Sequence, residues 1–391
     1  MPRPIYMDHH ATTPVLPEVR DAMLPFFTEQ FGNASSVTHV YGKEAADAIE
    51  EARRSIADLI GAAPAEIVFT SGATESDNLA IRGGAHAGRG KGNHIITCAI
   101  EHEAVLETCR ALEAEGFAVT CLPVDSRGMV DPGDVLRAIH PGTILVTIHA
   151  ANNEIGALEP IADIGRITRE KGILFHTDAA QAAGRVPVAV NGMNVDLLSL
   201  SAHKMYGPKG IGALYVRRKV ALEPQITGGG QERKRRSGTL NVPAIAGFGK
   251  AAEIAKRDLP AEAPRLEALR DRLWSRISER IDGVVLNGPA ENRLPGNLNV
   301  TFSHVEGEAL LMALRETAAL STGSACASGT VRGSYVLRAL GVPEEEAHSS
   351  LRFGLGRSNT EDHVDRVADH LARAVSRLRT ISPFYQEARP S

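Results

Sequence analysis

The chain has 391 residues, 43% hydrophobic and 23% charged, which is long enough for a sizeable core and for two domains. Its formal charge of −4 gives no general attraction to nucleic acid or to an anionic membrane surface. The opening "MPRPIYMDHHATTP" lacks an apolar h-region, no long apolar run follows, and the four cysteines are too few and too irregular for a disulfide framework or a zinc site, so the expectation is a reduced, cytoplasmic protein without a membrane span.

Between residues 60 and 255, short β-rich runs alternate with longer amphipathic segments. The predicted strands are "EIVFT" (66–70), "HIITC" (94–98), "AVTCLPV" (118–124), "TILVTIHA" (143–150), "ILFHTDA" (173–179), "LLSLSA" (197–202) and "GALYVR" (212–217). Their near-continuous apolar character fits strands buried on both faces, and the helical spacers fit right-handed βαβ crossovers. The reading is an α/β domain with a mostly parallel, seven-stranded sheet flanked by helices, spanning 15–255.

The pattern then changes. "LPAEAPRLEALRDRLWSRISERI" places Leu266, Leu269, Leu273, Trp274, Ile277 and Ile281 on one stripe of a long amphipathic helix. Strands at "VVLN", "NLNVTF" and "LRFGL" follow, with helices near 306–315, 334–340 and 360–380. Residues 256–391, with the extended segment 1–14, make a smaller α+β domain that carries a loop of small residues at about 321–333. Cys98, Cys109 and Cys121 read as core residues.

Ligands of open α/β sheets sit beyond the carboxyl ends of the strands, so the polar residues there carry the chemistry. Ser71-Gly72-Ala73-Thr74 joins a strand to a helix; alone it is an ordinary N-cap, and in context a phosphate cradle. "ILFHTDAAQAAG" ends a strand on Asp178 with Gln181 behind it. That acid is a cap or salt-bridge partner, or the group that holds a cationic cofactor nitrogen. Lys204 follows the next strand in "LSAHKMYGPKG". Most lysines are solvated, but one desolvated at a sheet edge can form a Schiff base. Lys209 reads as a loop lysine, "TGGG" at 227–230 as a tight loop, and "RKRR" at 233–236 as a solvated loop near the phosphate. "MDHH" has no metal-ligand spacing around it.

The blocks "FTSGATESDNLAI", "EHEAVLETCR", "NNEIG", "HTDAAQAAG", "SAHKMYGPKGIGALYV", "RSGTLNVP", "GSACAS" and "HSSLRFGLGR" resemble the NifS/IscS-type cysteine desulfurases, which are class V aminotransferase-like enzymes, over essentially the whole chain. The resemblance implies the pyridoxal-phosphate-dependent transferase fold (fold type I) and pyridoxal 5'-phosphate as cofactor. It implies Lys204 as the cofactor's lysine, Asp178 on the ring nitrogen, Gln181 and Asn153 at the phenolic oxygen, and His102 against the ring. Ala73, Thr74, Ser201 and His203 would hold the phosphate, joined by Thr239 from the other subunit of a homodimer. Asn33 and Arg352 would hold the carboxylate of L-cysteine. No metal is expected in the pyridoxal site.

Cys326, in "STGSACASGT", would take sulfur from L-cysteine as a persulfide, leaving L-alanine, and hand it to an acceptor such as an iron–sulfur scaffold. Selenocysteine lyase and a class V aminotransferase are the nearest enzymatic alternatives; the latter needs no cysteine on a loop. A non-enzymatic sulfur carrier or assembly platform is the other class, and Lys204, His102, Asp178 and Arg352 together argue against it.

Overall fold

The computed structural model describes residues 3–322, 333–381 and 385. With strands numbered along the chain, β1 is Ile5–Tyr6, β2 Ile67–Thr70, β3 His94–Cys98, β4 Ala118–Leu122, β5 Thr143–Thr147 and β6 Leu174–Asp178. They continue as β7 Leu197–Ser201, β8 Gly212–Val216, β9 Val284–Leu286, β10 Asn297–Phe302, β11 Ala318–Ala319 and β12 Ser350–Gly354. All seven apolar runs expected in the first part of the chain are strands of one sheet, in the order β2-β8-β7-β6-β5-β3-β4. Only β8 runs antiparallel to its neighbours.

Side chains alternate across this sheet with the period of two that a strand imposes. Ile96, Val146 and Leu198 pack with Ile49, Ile56 and Phe248 of the helices Val40–Ile60 and Val242–Ser278. Their neighbours Ile95 and Leu145 pack instead with Ile81 and Val105, from the helices Ala73–Gly88 and Glu103–Ala114. Two covered faces explain why the strands read as continuous apolar runs. The edge strand β4 is the exception, and it corrects one expectation: Cys121 is exposed, not core, on the strand that ends the sheet. Cys98 and Cys109 are buried as expected.

A second cluster of buried side chains gathers Leu298, Val300, Phe302 and Phe353 of the antiparallel sheet β12-β10-β9. Ile5 and Met7 join it, with β1 paired in parallel to β11. The helix Glu361–Ile381 covers it through Val364, Val367 and Leu371.

One helix links the two cores. Val242–Ser278 runs unbroken for 37 residues, roughly 55 Å at 1.5 Å per residue. Ile245, Phe248 and Ala252 lie in the first cluster, and Leu266, Leu269, Leu273 and Ile277 in the second. The expected helical stretch starts at Leu259, where the composition changes; the helix itself begins 17 residues earlier, at Val242, and Pro260 and Pro264 are both inside it. Ile281, read as part of its stripe, lies beyond its end but is still buried. No helix among the described residues is long and apolar enough to cross a membrane.

Candidate active site

The carboxyl ends of β2, β3, β5, β6 and β7 open onto one cavity of about 600 Å³. It is lined by ten of the residues singled out from sequence: Ala73, Thr74, His102, Asn153, Asp178, Gln181, Ser201, His203, Lys204 and Arg352. Asn33 and Thr239 are exposed and do not line it. Asn33 Oδ1 instead accepts from the Ser35 N–H at 3.0 Å. Cys326 and most of its loop lie outside the described residues.

At one end of the cavity the helix Ala73–Gly88 begins directly after β2. Its first N–H groups and the positive end of its dipole point where an anion would sit. The turn is held close: a Cβ at Gly212, on the neighbouring β8, would stand 2.6 Å from the Gly72 Cα, so only glycine fits there. Ser201 Oγ is buried with no partner among the described residues. His203 is kept neutral, its pKa lowered to about 4 by burial and by Lys204 and Lys209. Arg236, from the "RKRR" segment, pairs with Glu75 of the same helix at 2.8 Å. Lys209, read as a loop lysine, lies in the loop after β7 and lines the cavity.

In the middle stands Lys204, just past β7. Its Nζ donates to the carbonyls of His10 (2.6 Å) and Ala11 (2.9 Å). Gln181 donates from Nε2 to the same His10 carbonyl at 2.9 Å, and its Oε1 accepts from Arg185 at 3.1 Å. Arg185 also donates to His10 Nδ1 and to the carbonyls of His9 and Lys204. Burial and the Arg185 charge hold His10 neutral, well below its ordinary range. The "MDHH" histidines, set aside in the sequence, thus build the floor of the cavity through backbone carbonyls. Sequence offered no ligand pattern to find them by.

Along the wall, His102 caps the helix Glu103–Ala114, its Nδ1 accepting the Ala104 N–H at 3.1 Å. The ring hydrogen therefore sits on Nε2. Asp178 ends β6, with Oδ1 accepting from the Ala180 N–H at 2.8 Å. Burial raises its pKa, and His102 and His149 pull it back toward the ionised form. His149 also lines the cavity and is buried beside Glu101 and Glu159. It occupies the same kind of strand-end position as Asp178, and that rule applied to "TILVTIHA" would have found it.

Opposite, Arg352 on β12 reaches in from the second unit. Its Nη2 meets Asp8 Oδ1 at 2.8 Å and its Nη1 donates to the Asn153 carbonyl at 3.1 Å. Its Nε is buried with no partner among the described residues. These features match a cofactor with a phosphate, a cationic ring nitrogen and a carbonyl carbon, beside an amino acid carboxylate. The helix start and the orphaned Ser201 hydroxyl suit the phosphate, Asp178 the ring, Lys204 the carbonyl and Arg352 the carboxylate.

Residues 5–367 match the family described as aminotransferase class-V. The chain is 56% identical over 385 residues to the cysteine desulfurase IscS of Anaeromyxobacter dehalogenans (strain 2CP-C), covering 98% of this chain and 95% of that one. Among solved structures it superposes on a protein titled NifS-like, with a TM-score of 0.88 and 39% identity over 96% of this chain and 100% of that one. A structure titled SspA in complex with cysteine is 42% identical, with a TM-score of 0.81, over 90% of this chain and 98% of that one.

Proposed function

The chain belongs to the class-V aminotransferase family, and from that membership we propose that it is a pyridoxal 5'-phosphate-dependent cysteine desulfurase. It removes the sulfur of L-cysteine, yields L-alanine and carries the sulfur as a persulfide on Cys326. The observation that carries this reading is the meeting of Lys204, Asp178, His102 and Arg352, from two separately cored units, in one cavity that begins at a helix N-terminus.

In this reading Ala73, Thr74, Ser201 and His203 hold the cofactor phosphate, and Asp178 holds the ring nitrogen. Asn153 and Gln181 face the phenolic oxygen, and His102 lies against the ring with its Nε2 hydrogen available. Bound there, the cofactor supplies an electron sink for negative charge developing at the substrate Cα. Arg352 holds the substrate carboxylate, a match of planar guanidinium to planar anion; Asn33, which lies outside the cavity lining, is left out of this role. Lys204 Nζ, held in the middle of the cavity by the His10 and Ala11 carbonyls, would take the Cα proton and later return one. The Cys326 thiolate attacks the cysteine sulfur; the carbon–sulfur electron pair stays with carbon, which is protonated to alanine.

Three finer points belong to the same reading. The protein works as a homodimer, with Thr239 reaching the partner's phosphate site. Its sulfur passes to an acceptor protein such as an iron–sulfur scaffold, in the cytoplasm. The chain divides into 15–255 and 1–14 with 256–391, a division supported by a cluster that draws only on Ile5, Met7 and residues from Leu266 onward, while Leu294, Val336 and Leu337 pack with the first cluster across it. The test is to measure alanine and sulfide from L-cysteine under reductant, with and without a candidate scaffold. Equal amounts of both products are expected; release of neither sinks the assignment.

A further inference from the structure

Beneath the cofactor wall lies a buried group that the reaction above does not use. Glu101 follows β3, His149 follows β5, and Glu159 lies just before the helix Ile161–Lys171. All three are buried, as is Cys98 at the end of β3. Glu101 Oε1 accepts from the His149 backbone N–H at 2.7 Å and from Cys98 Sγ at 3.3 Å. The same oxygen lies 3.3 Å from His149 Nδ1. On the other edge of the ring, His149 Nε2 stands 3.8 Å from Glu159 Oε1, and neither atom has another partner among the described residues.

Each ring nitrogen of His149 therefore faces a carboxylate. A neutral imidazole has one N–H and could serve only one of them; the imidazolium serves both. The surroundings carry the matching charge. After burial itself, Glu101 raises the pKa of Asp178, and Asp178 and Glu101 raise that of Asp77. Burial opposes a charge on His149, but Glu101, Glu159 and Asp178 outweigh it and lift its pKa to about 9. Glu159 is pushed up to about 7 by burial against the pull of His149. His149 and Asp178 sit at neighbouring strand ends: the N–H of Ala150, the residue after His149, donates to the Asp178 carbonyl at 2.8 Å, and both residues line the cavity.

We propose that His149 is a positioning residue, an imidazolium clamped between Glu101 and Glu159, whose charge keeps Asp178 ionised to hold the cofactor's ring nitrogen. Without that charge, only His102 and the Ala180 N–H oppose burial and Glu101, the Asp178 pKa rises further, and a carboxyl more often neutral grips a cationic ring less well. The proposal rests on the role given above to Asp178, and its two halves separate experimentally.

The first measurement uses the cofactor-free protein with nitrogen-15-labelled histidine, followed by NMR from pH 7 to 10, with His149→Gln to assign the signal. His149 should remain imidazolium at pH 8 and titrate well above the ordinary value of about 6.5; a neutral ring at pH 7.5 overturns the proposal. The second titrates pyridoxal 5'-phosphate into the cofactor-free protein. His149→Gln should weaken binding about tenfold, the scale of one pKa unit lost at Asp178, while His149→Lys keeps most of it. Equal affinity in wild type and His149→Gln overturns the link to Asp178. If Asp178→Asn also binds normally while the imidazolium signal persists, it is the Asp178 reading that fails. Should His149→Gln fold poorly, the lysine variant and the wild-type titration still decide the matter.

Discussion

Arg352 is bound to Asp8 before any substrate arrives: Nη2 and Oδ1 are 2.8 Å apart, and the arginine side chain is only 4% exposed. A guanidinium buried this deeply needs an anion, and Asp8 supplies it from the N-terminal segment while Asn153 fixes the second nitrogen through its carbonyl. The buried Nε remains for an incoming carboxylate. Replacing the planar fork by an ammonium, Arg352→Lys, loses the two-point grip at a cost of roughly 1.5–3 kcal/mol, or about ten- to a hundredfold. Steady-state kinetics with L-cysteine should place most of that loss in KM; an unchanged KM removes Arg352 from the carboxylate site.

Lys204→Ala removes the amine that the His10 and Ala11 carbonyls hold at the centre of the cavity. The variant should lose the visible absorption band of the lysine-bound cofactor and, with its proton carrier gone, nearly all turnover. Absorbance after loading with pyridoxal 5'-phosphate checks this, and a wild-type band would mean that another amine does the work.

Cys326→Ser separates sulfur transfer from everything before it. Lys204, Asp178 and Arg352 are untouched, so the variant should still bind the cofactor and still respond spectrally to L-cysteine. Sulfide release should fall to background because a hydroxyl is far too weak a nucleophile toward sulfur at neutral pH. Full turnover of this variant under reductant ends the persulfide role.

Much of this site was legible because buried strands and their ends leave a strong signal. "LLSLSAHK" and "ILFHTDA" are apolar runs that stop on a chemical group, and the structure ends β7 and β6 there. What sequence left unread depends on partners distant along the chain. Asp8 means nothing until β12 brings Arg352 beside it, and the His10 carbonyl matters only because Lys204 points at it. Glu159 looks like a surface acid beside a helix start until His149 is seen across from it. The start of the long helix was not legible for a different reason: Pro260 and Pro264 are breakers by propensity, and packing of Leu266, Leu269 and Leu273 against the second core carries the helix through them from Val242.

Glu232 fastens the loop bearing "RKRR" to the helix Val40–Ile60 and to β2. Arg53 grips Glu232 with two bonds of 2.9 and 2.8 Å, the Phe69 N–H adds a third at 2.8 Å, and the pair is 4% and 2% exposed. Glu232, Arg233 and Lys234 all have positive φ, which costs non-glycine residues energy and needs an anchor. Glu232→Ala leaves the buried Arg53 with only the half-exposed Glu50, 2.9 Å from its Nε, as counter-ion, and should destabilise the protein by roughly 3 kcal/mol, the low end for a broken buried pair. Denaturant unfolding checks the loss; a change below about 1 kcal/mol would fit only an exposed pair.

Acid should weaken the fold through histidines held neutral. His176 on β6 is wholly buried, its Nδ1 against Thr147 Oγ1 at 2.8 Å and its Nε2 against Ser199 Oγ at 3.0 Å. Burial lowers its pKa to about 3. His9 is lowered to about 4 by burial and Arg185. A folded pKa below the unfolded value of about 6.5 means that the unfolded chain binds the extra proton. Stability is then unaffected by these groups above pH 6.5 and falls as pH drops from there toward the folded values. Each such histidine contributes a slope of about 1.4 kcal/mol per pH unit in that window. Carboxylates add their own slope at the acid end, so the readout is a difference: His176→Asn should be flatter than wild type by about that amount between pH 6 and 5. Parallel stability curves for the two proteins would mean that His176 takes up its proton inside the fold.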